Sequence, residues 1–276
     1  CAIIGGNEPV PDRRRGFEEK SEQERERREE MEEEKRLALL IDADNVSPKY
    51  IGVIMKEAQG YGNVTIRRIY GDWTEDSKAS WRSVLLENSL SPIQQYSYTT
   101  GKNSSDSAMI IDAMDILYTS PVDGFIIVSS DSDFTKLAMR LRESGKSIIG
   151  MGESKTPVPF RKACEQFKIL DVLYRTKEGE HKKQEPEKIV SDVTDLKVIK
   201  AAIYTMLEER SDEDGWVHLS ALGDMLQKLY SDFDCRNYGY SRLTLMMKSF
   251  PELETRKVST KKDGIKVLKV RKRIGK

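Results

Sequence analysis

From Leu37 onward, short apolar runs alternate with segments of helical apolar spacing, and this alternation restricts the fold more than any other feature of the chain. Strand-length runs read at 37–41, 64–70, 92–97, 125–128, 147–151 and 168–173, with helical patterns at 48–59, 77–89, 106–118, 134–144 and 157–165. A strand that returns through a helix to a further strand pairs with it in parallel. Helices then cover both faces of the sheet. The expectation is a three-layer, Rossmann-like α/β domain whose functional groups gather outside the carboxyl ends of the strands.

The flanks have a different character. Between Glu18 and Arg36 nearly every residue is Glu, Arg, Lys or Gln, with opposite charges four apart at Glu24–Arg28 and Glu32–Arg36. That is a solvated extension, helical or disordered, without chemistry. From Arg175 to Pro186 the chain is again charged and almost free of apolar residues, as an exposed linker is. Beyond it, a helical stretch at Leu196–Leu207 precedes a short apolar run at Trp216–Leu219 and a helix that reaches Tyr230 with Ser220 as its cap. A helix at Tyr240–Ser249 and two alternating strands split by Asp263-Gly264 complete a winged-helix pattern. The reading is an extension at 1–36, an α/β domain at 37–175, a flexible linker at 176–195 and a smaller winged helix at 196–276. Lys and Arg outnumber Asp and Glu by six from Leu196 to the end, so the net charge of zero conceals an acidic front and a basic back. Such a basic surface attracts phosphate backbones.

Several chemistries are excluded. The cysteines, Cys1, Cys164 and Cys235, lack paired spacing, which argues against disulfides and thiolate zinc sites. With only His181 and His218, a histidine triad or histidine-bound zinc has too few ligands. Apolar stretches such as Phe125–Val128 fall far short of a membrane span, and the first residues do not read as a signal peptide. A soluble, cytoplasmic protein without a membrane partner is expected.

Four aspartates fall where an α/β domain places its functional groups. Asp42 follows the first strand in Ile41-Asp42-Ala43-Asp44-Asn45, Asp106 opens a helix, and Asp131 and Asp133 follow the strand at Phe125–Val128. If those strand ends are neighbours, the carboxylates converge and raise one another's pKa. A hard cation, Mg²⁺ or Mn²⁺, relieves the repulsion and suits phosphoryl chemistry. An N-cap role competes for Asp106 and Asp133. Asp44 alternates with Asp42 and reads as a loop residue. Asn45 either bonds the loop backbone or lends an oxygen to the site, Asp112 sits mid-helix where it either extends the acidic site or bonds backbone, and Lys102 lies in the loop before Asp106, where it either meets a phosphate or is solvated. Asp42-Ala43-Asp44 also echoes the Asp-x-Asp of haloacid-dehalogenase-type phosphatases, but their separate lysine and Ser/Thr motif are not evident.

The segments LLIDADN, YGDW at Tyr70–Trp73, GKNSSD leading into the helix with Asp112, and VSSDSDF resemble the successive motifs of NYN domains, the LabA-like branch of the PIN-like nucleases. The resemblance spans roughly Leu37 to Tyr174. It implies a PIN-like sheet, a divalent metal and RNA as substrate. The family's acidic ligands fall by motif on Asp42, Asp106, Asp131 and Asp133, with Asn45 and Asp112 accessory. Asp214–Gly223, Tyr238-Gly239-Tyr240 and Phe250–Glu254 resemble the OST-HTH (LOTUS) domain, which in its family binds RNA or protein partners. Trp216, Val217 and Leu219 read as core there, and His218 as structural. The functional expectation is a Mg²⁺- or Mn²⁺-dependent ribonuclease whose C-terminal domain aids RNA binding. The alternative is a non-catalytic RNA-binding regulator with a vestigial acidic site.

Overall fold

The structure is a computed structural model and describes residues 34–96, 104–177, 193–211, 214–259 and 266–273. Lys102, His181 and nearly all of the charged extension lie outside the described residues.

Six parallel strands form the main sheet: β1 (Arg36–Asp42), β2 (Asn63–Gly71), β3 (Ser91–Gln94), β4 (Gly124–Val128), β5 (Ser147–Gly152) and β6 (Gln166–Ile169), in the order β3-β2-β1-β4-β5-β6. The crossovers run through α1 (Ile51–Gln59), α2 (Ala79–Leu85), α3 (Ser104–Thr119), α4 (Thr135–Glu143) and α5 (Val158–Ala163), and α6 (Leu170–Lys177) follows β6. The central strands are apolar without alternation because both of their faces are covered. Leu37, Leu39 and Ile41 of β1 pack in one cluster with Ile54 of α1, Trp81 of α2 and Leu170 of α6. Ala38 and Leu40 pack in another with Met109 of α3, Ala138 of α4 and Phe160 of α5. The three expected layers are therefore present.

Several boundaries differ from the sequence reading; the strand expected at 92–97, for example, spans Ser91–Gln94. The apolar run at 168–173 divides: β6 ends at Ile169 and α6 begins at Leu170. Periodicity cannot separate a buried strand from the start of a buried helix when both belong to one apolar run. The helix expected behind a Ser220 cap begins instead at Leu219, with His218 at its N-cap and no side-chain bond there.

The C-terminal region comprises α7 (Leu196–Arg210), β7 (Val217–His218), α8 (Leu219–Leu229), α9 (Leu243–Ser249), β8 (Leu253–Ser259) and β9 (Lys266–Lys272), with an antiparallel sheet in the order β7-β9-β8. A 3-10 turn at Cys235–Tyr238 closes on Gly239 at φ 82°, a left-handed conformation that favours glycine. Residues 240–242 are consumed by the exit from that turn, so α9 starts later than the helical spacing from Tyr240 suggests.

The loop after α8 lies against β6, the edge of the main sheet. Phe167 N donates to Ser231 O (2.7 Å), and Lys168 Nζ pairs with Asp234 Oδ2 (2.8 Å), both side chains being buried. Arg236 joins Asp234 to Glu57 of α1, Nη1 lying 2.8 Å from Glu57 Oε1. An otherwise open edge strand is covered in this way.

Candidate metal centre

From β1 the chain winds outward to β2 and β3, and from β4 it winds the other way, so the sheet has its topological switch point between β1 and β4. Crossover connections leave a crevice beyond the carboxyl ends of two such strands. Asp42 is the last residue of β1, the loop Ser129–Asp133 follows β4, and Asp106 sits in the first turn of α3.

Each aspartate is placed by local chemistry. Asp131 is the N-cap of a 3-10 turn at Ser132–Phe134: its carboxylate accepts from Asp133 N (2.9 Å), and its own N–H donates to Ser129 Oγ (3.1 Å). The capping role considered for Asp133 and Asp106 thus falls on Asp131 at this loop, and Asp106 lies inside its helix. The turn directs Asp133 back toward Asp131. One carboxylate oxygen from each of Asp106, Asp131 and Asp133 lies within 4.8 Å of the others. Asp106 is buried, Asp131 half-buried and Asp133 exposed, so the group opens outward.

Asp106 Oδ1 is buried and has no hydrogen-bond partner. Burial, followed by the charges of Asp42, Asp131, Asp133 and Asp44, pushes its pKa up to about 7. A buried oxygen without a donor costs free energy unless something else satisfies it. A divalent cation among these oxygens fits the donor set, which is oxygen-rich and contains neither thiolate nor imidazole.

Asp42 is not one of this triplet, although its charge acts on Asp106 more than that of any other aspartate. Its Oδ1 accepts from Asp44 N (3.0 Å) and Asn45 N (3.2 Å), and its Oδ2 from Asn45 Nδ2 (2.7 Å) and Ser129 Oγ (2.8 Å). Four donors fill the lone-pair positions of a carboxylate. Asp42 therefore ties the β1 loop to the β4 loop, and burial raises its pKa against the lowering effect of those bonds. Asn45 serves the same junction through its side chain.

The remaining residues singled out in the sequence are engaged elsewhere. Asp44 pairs with Lys78 Nζ (2.5 Å), a buried amine beneath the loop. A side chain at Gly71 of the YGDW segment would crowd Ala43 Cβ at 3.3 Å and Lys78 Cε at 3.4 Å. Asp112 accepts from Arg68 and from the Tyr70 hydroxyl, fastening α3 to β2. Lys102 lies outside the described residues. Sequence reasoning overlooked Ser129 and Lys78. Ser129 was legible as a hydroxyl at a strand end beside two aspartates, whereas Lys78 sits in a polar stretch with nothing to distinguish it.

Residues 36–171 match the model of the NYN domain, and residues 194–265 match that of the OST-HTH/LOTUS domain. An uncharacterized protein of Methanocaldococcus jannaschii is 26% identical over 123 residues, covering 43% of this chain. The chain spans about half the length of that relative, 48%. Among solved structures, a protein of unknown function from Vibrio parahaemolyticus is 18% identical with a TM-score of 0.43, covering 51% of this chain and 95% of its own. An uncharacterized protein of Nitrosomonas europaea is 28% identical with a TM-score of 0.28, covering 35% of this chain and 88% of its own. Among the described residues, no helix is long and apolar enough to cross a membrane.

Proposed function

We propose that this chain, an NYN domain followed by an OST-HTH/LOTUS domain, is a Mg²⁺- or Mn²⁺-dependent ribonuclease whose C-terminal domain aids RNA binding. The NYN domain implies the PIN-like nuclease superfamily, and the OST-HTH/LOTUS domain implies RNA binding. The reading rests most heavily on one observation, the buried and partnerless Asp106 oxygen within reach of Asp131 and Asp133 at the switch point. Like charges packed this way repel, and a surface meant only to bind a polyanion would gain nothing from them. A resident cation accounts for both the repulsion and the missing donor.

In this reading Asp106, Asp131 and Asp133 face the ion. Such an ion, when bound, activates water and holds a phosphodiester oxygen. Asp42 contributes its charge from beneath and, with Asn45 and Ser129, keeps the two strand-end loops in register. Lys78 holds Asp44 aside from the group, and Asp112 anchors the helix that carries Asp106. Lys102 remains a proposed phosphate contact at the entrance to α3.

Incubation of labelled single-stranded and structured RNAs with the full chain, with Mn²⁺ or with chelator, tests the reading. Cleavage is expected with the metal, and its loss is expected both on chelation and in Asp131→Asn. Intact RNA in every Mn²⁺ reaction, alongside retained RNA binding, would instead support the non-catalytic regulator.

A further inference from the structure

One face of the C-terminal sheet holds its buried apolar residues, with Lys257, Lys266 and Lys272 around them by register, and the other carries His218, Arg256, Lys269 and Arg271. Val217, Leu253 and Val270 point inward and are buried with Leu222 and Leu226 of α8 and Met246 of α9. Side chains alternate along a strand, so the neighbours of these residues share the opposite face. The register places His218 beside Lys269 and Lys269 beside Arg256, in one row across all three strands. Arg271 and Glu254 are paired in the next row. Arg256 and His218 are exposed, and Lys269 and Arg271 half-buried.

Trp216, just ahead of β7, lies under this face. The guanidinium carbon of Arg256 is 4.5 Å from its ring centroid and that of Arg271 is 4.6 Å away. Two cations that would repel one another are thus held by one aromatic ring. Glu254, which bonds Arg271, is the sole carboxylate within the three strands. The arrangement explains how Trp216 is buried without belonging to the apolar interior: cationic side chains cover it.

We infer that this outer face of the β7-β9-β8 sheet is where the C-terminal domain grips RNA, through the backbone phosphates and without regard to sequence. The inference rests on the RNA-binding reading above and specifies its surface. Arginines held over the Trp216 ring have less freedom to lose when they meet a phosphate. Phosphate contacts position an RNA but carry no sequence information.

The test uses the full chain in chelator, so that binding is read without cleavage, and labelled single-stranded RNA across a salt series. Arg256→Glu/Lys269→Glu is expected to weaken binding by tenfold or more and to flatten the dependence of log K on log salt by about two contacts. Arg256→Gln/Lys269→Gln, which adds no repulsion and preserves strand-compatible side chains, should lose less affinity but flatten the slope equally. Lys228→Glu, an exposed charge on α8, should leave both quantities close to the parent chain. Unchanged affinity and slope in the two double variants would overturn the inference. So would an equal loss in Lys228→Glu, or a parent chain that binds no RNA at low salt, which would turn the face over to a protein partner. A parent chain that binds through this face yet cleaves nothing with Mn²⁺ would uphold the inference and sink the nuclease reading.

Discussion

Asp42 and Asp106 show how two aspartates at one crevice acquire opposite characters. Four donors satisfy Asp42, while Asp106 keeps a buried oxygen with none. Asparagine at position 42 would turn an NH₂ toward Ser129 or the loop amides and lose a charge-assisted bond. Asp42→Asn is therefore expected to lower stability by about 1–3 kcal/mol, read by chemical denaturation. Asp106→Asn should act in the opposite direction. The folded-state pKa of Asp106, about 7, lies above its ordinary 3.8, so the folded state binds the extra proton. Its contribution is fully present below pH 3.8 and is lost as pH rises through 7. Without divalent ions, Asp106→Asn should melt higher than the parent chain at pH 8 and no higher at pH 4. The convergence of aspartates was legible in the sequence because their positions at strand ends and a helix start follow from the strand–helix order. The division of labour among them was not, because it depends on Ser129, 87 residues from Asp42, and on Lys78 at the start of the helical pattern at 77–89.

Edge strand β6 carries the next prediction. Lys168 and Asp234 are buried together, with Arg236 bridging to Glu57, and this network holds Asp234 far below the ordinary carboxylate range against the opposing effect of burial. A buried ion pair adds little beyond what apolar packing would give, but removing one member leaves the other charged and unpaired. Asp234→Asn is expected to cost about 3–5 kcal/mol by denaturant unfolding. A cost near zero would mean that the loop after α8 does not hold the β6 edge. The lowered pKa also implies stability that is present above pH 3.8 and is lost as pH falls through the folded-state value. None of this could be read from the chain. Lys168 fits an alternating strand as an outward residue, and its partner lies 66 positions away in a segment that reads only as a turn. The run at 168–173 reads as one strand because periodicity is a local signal, although the helix begins at Leu170.

At the scale of the molecule, the layer order is legible because short apolar runs and helical spacing alternate from Leu37 to the linker. The acidic front and basic back of the neutral chain are legible too. The structure adds that the front is the switch point of a parallel sheet and that the back presents a cationic face braced by Trp216. If the acidic group holds an ion, stabilisation by Mn²⁺ should grow between pH 5 and pH 8, because protonated Asp106 cannot share the ion. Melting curves of the full chain at the two pH values check this, and an equal gain at both would place the ion elsewhere. The claim from which the rest follows is that Asp106, Asp131 and Asp133 form a cation site. Calorimetric titration of Mn²⁺ into the metal-free chain near pH 7, repeated in buffers of different ionisation enthalpy, tests it most directly. The account predicts saturable binding with a buffer-dependent heat from the proton that Asp106 releases, and no comparable binding in Asp106→Asn. Absence of binding in the parent chain, or undiminished binding in Asp106→Asn, would contradict it.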